Sequence, residues 1–257
     1  MSRFVETATA LLKKTVTYKS MFEVNSTLDA LFSPSDRIRV VSFLNAHAVI
    51  RSCKDDKFRN ALLSSEYLFR DGSGVAMLMR KMDLDPGLNL NGTDLIPEII
   101  NRLPRTKKIA LLGTQELRLR QAEANIREIG FTKVLTADGF RPDHEYVNLI
   151  RHKLPSLVIL AMGMPKQERV AKLLAQDPEL QTRDIIVVNG GAILDFLSGE
   201  VPRAPRWMRR LGIEWLYRLL REPARMFPRF RDSFCFALHV LLMAAALRNA
   251  MNDGRGN

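Results

Sequence analysis

Six segments of this 257-residue sequence place reactive or hydrogen-bonding side chains directly after a short apolar run. They are Asn45-Ala46-His47, Asp71-Gly72-Ser73-Gly74, Gly113-Thr114, Asp138-Gly139-Phe140, Gly163-Met164-Pro165-Lys166-Gln167-Glu168 and Asn189-Gly190-Gly191-Ala192. A carboxylate beside glycines, as at Asp71, can take a proton from a hydroxyl group. Glycines such as Gly113, Gly163 and Gly190 let a ligand approach the backbone. Pro165 at a first helical position, followed by Lys166 and Gln167, opens a helix whose free N–H groups can face an anion. Any one of these ends is also ordinary strand-to-helix turn chemistry; six of them in one chain point to a ligand groove.

A second cluster is arginine. Residues 1–200 carry a net charge of +4 and residues 201–257 one of +7, and the C-terminal cations are all arginine. Nine fall within 29 residues: Arg203, Arg206, Arg209, Arg210, Arg218, Arg221, Arg225, Arg229 and Arg231. A solvated basic helix is the plain alternative. However, Arg210, Arg218 and Arg221 fall on one narrow stripe of an otherwise apolar helix, which Pro223 ends or kinks before Arg225. A helix apolar around most of its girth must be buried against protein or lipid. Arginine rather than lysine along its edge suits bidentate binding of a diphosphate.

The elements that must position these groups follow from apolar periodicity. Strand-length runs at 38–44, 67–69, 108–113, 133–137, 157–163 and 184–190 alternate with helical patterns such as 116–129 and 165–176. This rhythm predicts an α/β fold: a Rossmann-like, mostly parallel sheet with helices on both faces, whose ligands sit at the carboxyl ends of the strands. Residues 1–37 read as an N-terminal helical arm, 38–200 as the catalytic core and 201–257 as a helical, membrane-binding appendage.

Several chemistries lose support. The chain has no GxxxxGK[ST] loop and no GxGxxG after a strand. Cys53 and Cys235 stand far apart, which leaves neither a disulfide framework nor a Cys/His zinc cluster and suggests a reducing cytoplasm. Asp83-Leu84-Asp85 resembles a metal-binding pair, but Pro86-Gly87 make it read as a turn. No secretory signal is visible, so the mature chain is expected to begin at Met1. The 14-residue apolar stretch from Phe234 to Leu247 falls short of the ~20 residues that cross a bilayer and reads as an interfacial or packed helix.

The strings LNAH (44–47), DGSGVA (71–76), NGTDL (91–95), GMPKQE (163–168) and GGAILDFLSGEVPRAPRWMRRLGIEWLYRLLREPAR (190–225) together resemble the WecG/TagA/CpsF family of bacterial glycosyltransferases, glycosyltransferase family 26. The likeness runs from about residue 38 to 231, and the last string is the most specific. It implies inverting transfer of a hexose or N-acetylhexosamine from a UDP-sugar to a polyprenyl diphosphate-linked saccharide, for bacterial surface polysaccharide. The enzyme would need no metal or other cofactor and would be peripheral to the cytoplasmic face of the inner membrane.

By that resemblance Asp71 matches the catalytic base and Asn45 a substrate contact beside it. Gln167 matches a donor contact, with Gly113, Gly163, Lys166 and Gly190 along the same edge; Arg210, Arg218, Arg221 and Arg225 are the expected acceptor or diphosphate ligands. On local grounds Asp71 serves equally as a helix N-cap accepting from the N–H of Gly74, Glu168 and Lys166 as surface pairs, Phe140 as packing, and Asp195 as a cap. Many family members carry an arginine where Asn89 stands, which leans the donor toward a neutral hexose. The reading from another class is a basic nucleic-acid-binding module, given a sequence pI near 10.0. Poor aromatic interleaving and the adjacent apolar helix weigh against nucleic acid as a partner. Homo-oligomerisation is left open.

Overall fold

The computed structural model describes residues 2–201, 203–205, 207–208, 214–221 and 223–253. In chain order its elements are α1 (Ser2–Lys14), β1 (Thr15–Val16), α2 (Met21–Leu31), β2 (Ile38–Leu44), α3 (Ala46–Lys54), α4 (Asp56–Leu63), β3 (Tyr67–Arg70), α5 (Ser73–Lys81) and α6 (Gly92–Arg102). There follow β4 (Ile109–Gly113), α7 (Glu116–Glu128), β5 (Val134–Ala137), α8 (Asp143–Lys153), β6 (Leu157–Ala161), α9 (Lys166–Gln176), β7 (Ile185–Asn189) and α10 (Ile193–Leu197). The C-terminal helices are α11 (Glu214–Arg221) and α12 (Pro223–Asp253).

The strands form one parallel sheet in the order β1-β3-β2-β7-β6-β4-β5. β2, β4, β6 and β7 are buried along their whole length, which is why they read as unbroken apolar runs. Their side chains divide with period two. Val41, Phe43, Ile109, Leu111, Ile159 and Val188 pack beneath α2, α6 and α7, whereas Val40, Ala110, Leu112, Val158, Leu160 and Val187 face α8 and α9. The expected α/β architecture is therefore present.

Two features go beyond the sequence expectation. The N-terminal residues do more than supply helices: Thr15 and Val16 pair with Leu68 and Phe69, so β1 becomes an edge strand. In addition, α12 begins at Pro223 and lies across α3 and α5, burying Phe236, Val240 and Met243 in a third cluster with Phe4, Val49, Leu78 and Met79. Its buried face thus recurs at helical spacing, and Leu238, Leu241 and Leu242 are left exposed.

The order of strands sets the site. The chain leaves β2 toward β3 on one side and later returns to insert β7 on the other, so connections diverge from the carboxyl ends of β2 and β7. Such a divergence opens a crevice in an otherwise closed α/β sheet.

Candidate active site

A cavity of about 500 Å³ occupies this crevice. Asn45 and His47 after β2, Asp71 after β3, Gln167 on α9 and Gly190 after β7 all line it, and Phe230 and Phe234 of α12 close one side.

Asn45 caps α3. Its extended backbone lets Oδ1 accept the Ala48 N–H at 3.0 Å, while Nδ2 lies 3.5 Å from Asp71 Oδ2 as donor. The Asp71 N–H donates to the Leu44 carbonyl at 2.8 Å, binding the ends of β2 and β3 together. Asp71 is not the N-cap of α5: that position is Gly72, which has no side chain to bond the first N–H groups of the helix. The half-buried carboxylate therefore stands beside a helix N-terminus without being its cap.

The turn carrying Asp71 is braced from below. Buried Arg70 donates to the carbonyls of Pro86, Gly72 and Gly87, and burial lowers its pKa from the ordinary value. Asn89, where the family resemblance anticipates arginine, accepts from the Gly72 N–H at 2.9 Å and lies 3.4 Å from Arg70 Nη1. Here it shapes the turn and is not part of the cavity wall. Asp83-Leu84-Asp85 form the turn after α5, in which Asp85 Oδ1 accepts from the Gly87 N–H.

Gln167 is only 1% exposed, and both ends of its amide are used. Oε1 accepts the Gly191 N–H at 3.0 Å and Nε2 donates to Glu168 Oε1 at 2.7 Å. Glu168 is buried rather than paired at the surface, and burial pushes its carboxyl up to about 7, with the Gln167 bond pulling the other way. Gly190 is forced by packing: a Cβ there would lie 2.4 Å from Ile193 Cγ2.

Other anticipated residues stand elsewhere. Lys166 Nζ donates to the carbonyls of Gly139 and Arg141 at 2.9 and 2.5 Å and lies over the Tyr146 ring, which ties down the loop after β5. Gly163 and Gly113 are outside the described cavity wall. A Cβ on Gly113 would meet the Ala161 backbone at 2.3 Å, so this glycine serves the β4–β6 approach. Phe140 is exposed, not packed. Asp195 is buried within α10 and accepts from Thr114 Oγ1 at 2.5 Å, with Arg118 Nη1 3.4 Å away; it joins the ends of β4 and β7 instead of capping. Arg221 is exposed with its guanidinium 5.6 Å from the Tyr217 ring centre. Arg210 and the side chains of Arg218 and Arg225 lie outside the described residues.

Sequence reasoning missed the pair His47 and Asp232, whose Nδ1 and Oδ2 atoms are 2.8 Å apart. His47 was visible two residues after Asn45, but nothing in the sequence signals that Asp232 on α12 reaches it. Arg203 was noted only as one of the cluster; it pairs with Asp94 at 2.7 Å. Among the described residues no group of three or more His, Cys, Asp or Glu is placed to hold a metal ion.

A crevice where strand connections diverge, walled largely by apolar side chains and holding the Asp71 carboxylate and the Asn45 amide, is the ligand site of an α/β enzyme. Residues 9–250 match the model of the Glycosyl transferase WecG/TagA/CpsF family, and the chain belongs to that family. It is also 30% identical over 195 residues to an N-acetylglucosaminyldiphosphoundecaprenol N-acetyl-beta-D-mannosaminyltransferase of Bacillus subtilis (strain 168), covering 72% of this chain and 73% of the relative. The protein is a glycosyltransferase, which sets aside the nucleic-acid-binding reading.

Proposed function

We propose that this enzyme transfers a hexose or N-acetylhexosamine from a UDP-sugar to a polyprenyl diphosphate-linked saccharide, with inversion at the anomeric carbon. The observation carrying the reading is that one cavity gathers Asp71 and Asn45 from two strand ends with Gln167 and Gly190 from two more, and opens beside apolar α12. The relative's name supplies the kind of acceptor, a sugar on a diphosphoundecaprenol, and an N-acetylhexosamine as the transferred group.

In this mechanism an acceptor hydroxyl attacks the anomeric carbon as the carbon–oxygen bond to UDP breaks. Asp71 takes the hydroxyl proton, and Asn45, donating to the same carboxylate, holds it in place. Backbone N–H groups at the start of α5 and the C-terminal arginines carry the charge that develops on the departing diphosphate, a role a metal fills elsewhere. Attack from the face opposite UDP gives inversion.

No helix among the described residues is long and apolar enough to cross a membrane. Phe227, Phe230, Phe234, Leu238 and Leu241 instead form an exposed stripe along α12 at helical spacing. This stripe supports peripheral attachment to the anionic cytoplasmic membrane surface, with the acceptor lipid entering past Phe230 and Phe234.

The test is a screen of UDP-sugars against a short-chain lipid diphosphate-linked monosaccharide, reading released UDP with and without EDTA. Transfer of at least one sugar, undiminished by chelation, is expected. Asp71→Asn should lower turnover by ~10²–10⁴-fold with UDP binding little changed. Absence of transfer from every UDP-sugar refutes the reading, and near-normal turnover by the Asn variant removes Asp71 from the role of base.

A further inference from the structure

The first turn of α9 places two buried side chains next to each other, Gln167 and Glu168, at 1% and 2% exposure. An amide and an acid this enclosed must find their partners inside the protein. Gln167 meets the Gly191 N–H at one end and the Glu168 carboxyl at the other, while Glu168 Oε2 is buried with no hydrogen-bond partner. Gln167 lines the cavity with Gly190 and Gly191, and Glu168 is not among the lining residues. The acid therefore stands one residue behind the ligand surface.

Donors and acceptors fix the direction of this cluster. A backbone N–H can only donate, so the end of Gln167 that faces Gly191 is Oε1 and the end that faces Glu168 is the NH2 group. One of its two hydrogens goes to Glu168 Oε1, which leaves the second for a ligand oxygen. Gly191 has φ of +61°, a left-handed conformation that a larger residue would strain. The turn after β7 is thus pinned from α9 at the one position where its backbone bends most sharply.

An anion would be a costly anchor here. Burial pushes the Glu168 carboxyl up to about 7, against the pull of the Gln167 bond and of Arg51 on α3. The cations of neighbouring elements are engaged elsewhere, Arg169 of α9 with Asp143 of α8 and Arg39 of β2 with Asp184. Below that pH the acid is neutral, and because Oε1 accepts from Gln167 the proton belongs on Oε2. What Glu168 supplies is an acceptor oxygen held still, rather than a charge.

Resting on the transfer reading above, we propose that Glu168 is a positioning residue of the donor site: it holds the Gln167 amide in one orientation, and Gln167 then pins the Gly190–Gly191 turn and offers an N–H to an acceptor oxygen of the UDP-sugar. Glu168 itself does not touch the ligand. Without its acceptor oxygen the amide is free to rotate, and the ligand N–H and the glycine backbone lose their places together. A carboxamide at this position also presents an acceptor oxygen and serves as well.

The donor nucleotide and the acceptor lipid both carry a diphosphate, so calorimetric titrations use two probes, UDP and farnesyl diphosphate. Glu168→Leu, with folding verified by thermal melts, should weaken UDP about tenfold, the scale of one or two hydrogen bonds, and leave farnesyl diphosphate within about threefold of wild type. Glu168→Gln should hold UDP binding within about threefold of wild type. In a Gln167→Ala background, Glu168→Leu should cost less than about twofold more, because a residue that acts through another then has nothing to position. One measurement needs no Leu variant. In ¹⁵N-labelled wild type the Gln167 side-chain N–H signals, identified by their absence from Gln167→Ala, should exchange with solvent far more slowly than those of exposed Gln115.

Additive losses in the double variant, a Gln variant as weak as the Leu one, or Gln167 hydrogens that exchange as fast as those of Gln115 overturn this inference and leave the transferase reading standing. Weakening of farnesyl diphosphate in place of UDP overturns the assignment to the donor. A wild type that binds no UDP overturns both readings.

Discussion

Asn45 uses the two ends of one amide for different purposes: Oδ1 ends a helix and Nδ2 reaches the Asp71 carboxylate. The purposes can be separated. Serine caps about as well as asparagine, so Asn45→Ser is expected to melt within a degree or two of wild type yet lose turnover, whereas Asn45→Ala should also lose ~1 kcal/mol of stability. Thermal melts beside initial rates check this, and normal turnover in the Ser variant would leave Asn45 a cap alone. Glu168 supplies a pH test. Its carboxyl titrates at about 7 in the folded protein against an ordinary value of 4.5, because burial disfavours its charge. The folded state therefore holds a proton that the unfolded chain releases first; the associated stability is full below pH 4.5 and is lost as pH rises through about 7. Glu168→Gln should flatten the fall in melting temperature across that window, and an unchanged slope would place the titration in another group. That Asp71, Asn45 and Gln167 line one cavity was legible because each follows an apolar strand. His47 with Asp232 was not, since the contact depends on how α12 folds back over α3, which no local pattern encodes.

At the scale of elements, legibility follows burial. Strands covered on both faces are continuous apolar runs, and six were readable with ends within a residue or two. β1 escaped because two residues show no periodicity and their pairing depends on where α1, packed against α3 and α4, delivers the chain. Glycines at strand ends were harder to read, because close packing and ligand approach select the same residue. Gly113 is the first kind. With φ at +142° and the Ala161 backbone 2.3 Å from any added Cβ, Gly113→Ala forces β4 from β6 in the middle of the sheet. Backbone cannot yield as a side-chain tip does, so a loss of about 3 kcal/mol is expected by denaturant melts. A loss below half of that would mean that the strands slide apart cheaply and that Gly113 is free to serve the ligand edge.

For the whole chain, charge and apolar residues coincide in the C-terminal segment of the sequence. The cavity is walled by Phe230 and Phe234, the same helix exposes Phe227, Leu238 and Leu241 to solvent, and the net charge of +11 is concentrated in the same C-terminal segment. Two forces can then hold the enzyme on a membrane, and their sizes differ. Each basic side chain near an anionic surface contributes ~1 kcal/mol and is screened by salt. Each large apolar side chain moved fully out of water contributes ~1.5–3 kcal/mol and is not. Phe227, Leu238 and Leu241 together thus rival the arginines. Replacing all three with Glu is expected to reduce binding to vesicles containing anionic lipid at least tenfold, even at low ionic strength, while raising salt on the wild type weakens binding without abolishing it. These positions are away from the cavity wall and the buried face of α12, so transfer to a water-soluble acceptor should stay within about twofold of wild type, the range for surface changes of a few tenths of a kcal/mol. Vesicle sedimentation and the soluble-acceptor assay on the same preparation decide between the two forces. Binding that survives the triple change but disappears in salt would make the arginines the sole attachment and leave the apolar stripe without a membrane role.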